Sequence, residues 1–85
     1  MPDDGIPEGI VTRTDIAELA ALFDRFEFAF DPLSTAAKEA EVAFDDLILK
    51  LFRERVEPAF PRVAYAAFYC RIKSLCRTYL RKNAS

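Results

Sequence analysis

The sequence predicts an all-α domain, a three-helix bundle open to completion by dimerisation. Three observations predict it. Apolar residues recur at alternating three- and four-residue spacing in three successive stretches, which marks one face of a helix in each. No stretch shows the strict alternation of a strand. Only two glycines occur in 85 residues, with a hydrophobic share of 52%, so the chain is rich in core material and poor in loop material. A chain this short has room for one core and buries only roughly 60–65% of its unfolded surface, close to the margin of independent stability.

Residues 1–11 hold two prolines, two glycines and three acids and read as a flexible leader; a single helical domain follows over 12–85. Thr12-Arg-Thr-Asp15 has the form of a capping box, with Asp15 at the third helical position. Ile16, Leu19, Phe23, Phe26 and Phe30 then form one stripe, so the first helix is expected over about 13–30. Asp31-Pro-Leu-Ser34 interrupts it and carries two overlapping start signals. Either Asp31 is the cap with Pro32 at the first helical position, or Ser34 is the cap. The second helix, over about 33–57, places Leu33, Ala37, Ala40, Phe44, Leu47, Ile48 and Leu51 on one arc. Pro58 and Pro61 bracket the turn that ends it. The third helix, over about 61–82, gathers Tyr65, Phe68, Tyr69, Ile72, Leu75, Cys76, Tyr79 and Leu80 on one side.

Charge is distributed unevenly. Residues 58–85 carry six basic side chains (Arg62, Arg71, Lys73, Arg77, Arg81, Lys82) and no acid, while all fourteen Asp and Glu lie before them. Lys73, Arg77 and Arg81 form a ridge at four-residue spacing, with Arg71 and Lys82 beside it. Such a ridge fits phosphate contacts. It equally fits internal pairing: with the second and third helices antiparallel, Glu39, Glu41, Asp45 and Asp46 would offset Lys73, Arg77 and Arg81. The overall balance is acidic, with a net charge of −2 and an isoelectric point near 5.1, which opposes unassisted binding to bulk nucleic acid.

No catalytic set emerges. The chain has no His, and both glycines lie in the leader, so no glycine-rich phosphate loop exists. Cys70 and Cys76 on one helix would stand about 9 Å apart along its axis on diverging directions, which precludes a disulfide between them. Glu41 and Asp45 are one turn apart but lack a second ligand cluster, and Cys70 lacks a base. The expectation is a non-enzyme with no cofactor and no metal. The acidic start has no apolar run of the kind a secretory signal needs, and nothing approaches the roughly 18 apolar residues of a membrane span. Two reduced thiols fit a cytoplasmic protein.

Eleven aromatics are more than three short helices readily bury. Phe23, Phe26, Phe30, Phe44, Phe68 and Tyr79 stand at core spacing. Phe28, Phe52 and Phe60 fit the stripes less well, and exposed together they would mark a binding patch or dimer seam. The leading expectation is therefore a small module that binds another protein or itself.

Two segments also carry a resemblance. Glu39-Ala-Glu-Val-Ala-Phe-Asp-Asp-Leu-Ile-Leu-Lys-Leu-Phe-Arg53 resembles the helix of region 2 of extracytoplasmic-function sigma factors that binds the polymerase clamp. Phe68-Tyr-Cys-Arg-Ile-Lys-Ser-Leu-Cys-Arg-Thr-Tyr-Leu-Arg-Lys82 is similar to that family's basic helix facing the −10 promoter element. Val42 stands where the family usually has Asp, and Asp45 where it has Gln. The resemblance implies a different function, binding to RNA polymerase and promoter DNA. Arg71, Lys73, Arg77, Arg81 and Lys82 would then contact phosphates, and Phe60 and Tyr65 would stack on bases. Asp45, Asp46 and Phe52 would face polymerase.

Overall fold

The computed structural model of the protein describes residues 9–83, and over them the chain is all-α with three helices and no strand. Helix α1 spans Arg13–Glu27, α2 Thr35–Leu51 and α3 Tyr65–Asn83; α2 continues directly into a π-helical turn, Phe52–Val56. Most of the expected leader, residues 1–8, lies outside the described residues. Its last residues are not loose: Ile10 and Val11 pack against the core.

The start of α1 follows from its capping box. Thr12 Oγ1 accepts from the Asp15 N–H at 3.1 Å, and Asp15 Oδ2 accepts from the Thr12 N–H at 2.9 Å, so two otherwise orphaned donors are satisfied. Its end comes earlier than the apolar stripe suggests, at Glu27 and not near residue 30. The last helical bond is made by the Phe28 N–H on the Asp24 carbonyl at 3.4 Å, with Phe28 already out of helical geometry. Asp31 then keeps the helix from resuming in two ways. As the residue before Pro32 it is disfavoured in helical conformation. Its side-chain oxygen also accepts from the Leu33 N–H at 3.1 Å and its carbonyl from the Ser34 N–H at 3.1 Å, a turn that competes with the helix. Ser34 is the cap of α2, accepting from the Ala37 N–H at 3.2 Å. Phe30 and Leu33, expected in the core, are therefore left on the connection and exposed.

The π-helical turn decides the other end of α2. On an unbroken helix, at about 100° per residue, Arg55 would sit near the centre of the apolar arc and Val56 outside it. The wider turn, closed by the Glu57 N–H on the Phe52 carbonyl at 2.8 Å, inserts an extra residue. Phe52 and Val56 both turn inward and are buried, and Arg55 moves to the flank. Phe52 is thus a core residue, which corrects its expected place in an exposed patch. The proline turn then takes the chain to Tyr65, four residues later than the expected start of α3.

The core lies where α1 meets both other helices, since α2 and α3 touch each other only sparsely. Leu19, Phe23, Phe44, Ile48, Val56, Phe68, Ile72 and Cys76 are fully enclosed, each large side chain contributing about 1.5–3 kcal/mol of burial. Aromatic rings run through it: Phe44 lies 5.5 Å from Phe23, 5.2 Å from Phe26 and 6.1 Å from Tyr69. Phe52 continues the row against Tyr65 at 5.2 Å and Phe68 at 5.7 Å.

Candidate functional site

The basic ridge sits over α1, not against the acids of α2. The contacts between α2 and α3 pair Phe52 with Tyr65 and Phe68, then Phe44 and Asp45 with Tyr69. Farther along α3, the cationic contacts are made to α1. Arg77 stands 3.6 Å from Glu27, and its guanidinium lies 5.5 Å from the centre of the Phe23 ring. Lys73 is half-buried with its ammonium 5.5 Å from the Tyr69 ring, a cation–π contact within its own helix. Arg71 is half-buried, while Arg81 and Lys82 are exposed. Among the described residues the two ion pairs are Arg77–Glu27 and Arg55–Asp15, and neither involves Glu39, Glu41, Asp45 or Asp46. The expected neutralisation of the ridge by α2 is not found among the described residues: Arg77, at the middle of the ridge, meets Glu27 and Phe23 of α1 instead.

The acids of α2 divide. Asp45 is half-buried and accepts a 2.6 Å hydrogen bond from the Tyr69 hydroxyl. Burial, then this bond and the Asp45 charge, holds the Tyr69 phenol well above its ordinary range; burial followed by Asp45 and Asp46 raises Tyr65 as well. Glu41 and Asp46 are exposed. Asp45 is thus committed to the fold. Among the described residues no group of three or more His, Cys, Asp or Glu could hold a metal. Cys76 is enclosed, and burial pushes its thiol up to about 11, so it is chemically quiet; Cys70 is exposed.

The aromatic candidates separate in the same way. Phe28 is 61% exposed and Phe60 36%. Phe52 is buried, and Tyr65 is half-buried in a T-shaped contact with it, 5.2 Å between ring centres. Phe28, Phe30 and Leu33 stand outside the core together on the α1–α2 connection. Phe28 is anchored by one edge against Phe23, 6.2 Å between ring centres, and with Leu80 forms the floor of a groove of about 440 Å³. Asp24, Arg77 and Arg81 complete its walls.

A second apolar patch lies open on the outer side of α2, where Val42 and Ala43 stand among Thr35, Lys38, Glu39 and Asp46. Sequence reasoning passed over it, although Val42 between two acids on the side opposite the apolar stripe was a visible signal. Arg55 was missed for a different reason: its partners, Asp15 and the Ile10 carbonyl at 3.1 Å, lie at least forty residues away.

Comparisons with family models, curated proteins and solved structures return no match for the chain. No helix among the described residues is long and apolar enough to cross a membrane.

Proposed function

We propose that the protein is a non-enzymatic protein-interaction module that presents the α1–α2 corner and the adjoining cationic end of α3. The supporting observation is the concentration of large exposed apolar side chains there. Phe28, Phe30 and Leu33 fall within six residues and are 61%, 106% and 76% exposed, although the core has room for every other phenylalanine but Phe60. Apolar groups rimmed by charge are the usual mark of a docking surface. Affinity capture on the immobilised full chain, with and without nuclease, tests the reading, alongside light scattering of the free protein. A retained protein that resists nuclease and is lost with Phe28→Ser or Phe30→Ser is the expected result. A strictly monomeric chain that retains no protein would refute it.

One observation favours a second reading, the transcription-related module resembling sigma region 2. The ridge has no carboxylate partner from α2 among the described residues, and Arg81 and Lys82 are open to solvent. Phosphate contacts are thus available, but Phe52, Asp45 and much of Tyr65 are engaged in the fold. Anisotropy with labelled single-stranded DNA across a salt series addresses this reading. Each phosphate contact would contribute a slope of about 0.7 in log affinity against log salt; no salt-dependent binding would exclude it.

A further inference from the structure

We draw no further inference here: the strongest candidate, the open groove between the start of α1 and the end of α3, where Arg13 and Lys82 stand beside Ile16, Leu75 and Tyr79, carries nothing because both cations are solvent-exposed and nothing in the structure shows what covers it.

Discussion

Replacing Arg55 with Met tests whether the π-helical turn holds the beginning of the domain in place. Met keeps the aliphatic reach and a similar helix propensity, so the substitution removes mainly the guanidinium. In the native protein that group bonds to Asp15, whose side chain is 14% exposed, and to the Ile10 carbonyl at 3.1 Å. A hydrogen bond between charged groups is worth about 1.5–3 kcal/mol when shielded. Arg55 itself is 38% exposed, so solvent screening reduces this, and a net loss of about 1–2 kcal/mol is expected. In a domain of this size that lowers Tm by about 5–15 °C. A double-mutant cycle with Asp15→Asn, followed by thermal melts, isolates the pair, since Asn can still accept from the Thr12 N–H.

The pH dependence of that pair has a definite sign. Burial alone would raise the Asp15 pKa, but the Thr12 backbone N–H, the Arg55 hydrogen bond and charge, and the Thr12 hydroxyl bring it below the ordinary carboxyl value. A carboxyl with a depressed native pKa stabilises the fold above its unfolded value near 4 and ceases to as pH falls through the native one. The gap between wild type and Arg55→Met should therefore be full at pH 7 and shrink below about pH 4. Melting temperatures within about 2 °C at pH 7, or a coupling energy under about 0.3 kcal/mol, would refute the clamp.

Further outcomes follow from the core and its polar margin. Phe44→Ala removes a ring in contact with three others and should cost about 3–5 kcal/mol, most of the stability of a domain this small; a cooperative melt near the wild-type Tm would contradict the packing described. Tyr69→Phe loses the bond to Asp45 and should cost about 1–2 kcal/mol, with little further loss when Asp45→Asn is added; strict additivity of the two would show that the bond contributes nothing. Ultraviolet titration should find Tyr65 and Tyr69 ionising above the ordinary phenol range. Because those native pKa values are raised, their stabilising contribution is present at neutral pH and fades as pH climbs through them. Thiol titration of the folded chain should modify Cys70 quickly and Cys76 only on unfolding; two fast thiols would place Cys76 outside the core.

The local signals were readable because their physics is local. Thr12 and Asp15 satisfy each other across three residues, and Pro58 and Pro61 forbid a continuous helix whatever surrounds them. The candidate surface was half legible. Phe28 and Phe60 were rightly placed outside the stripes, whereas Phe30 and Leu33 were assigned to a core they do not reach. Their spacing is correct for a helix, but α1 ends at Glu27, and the turn at Asp31 keeps Leu33 out of α2.

By itself the sequence determined three amphipathic helices, the start of the first at Thr12, and an acidic portion followed by a basic one. Between Asp31 and Ser34 as the cap of the second helix it left the choice to the structure, which takes Ser34. Periodicity states which residues share a face, and that depends only on the helix repeat. It does not state which face another helix will meet. Tertiary packing decided that α1 lies between the other two and that α3 carries its cations over Glu27 and Phe23. It also decided that the last turn of α2 widens to bury Phe52 and Val56, freeing Arg55 to reach Asp15. Each of these outcomes depends on contacts between segments remote in sequence, which no local window contains.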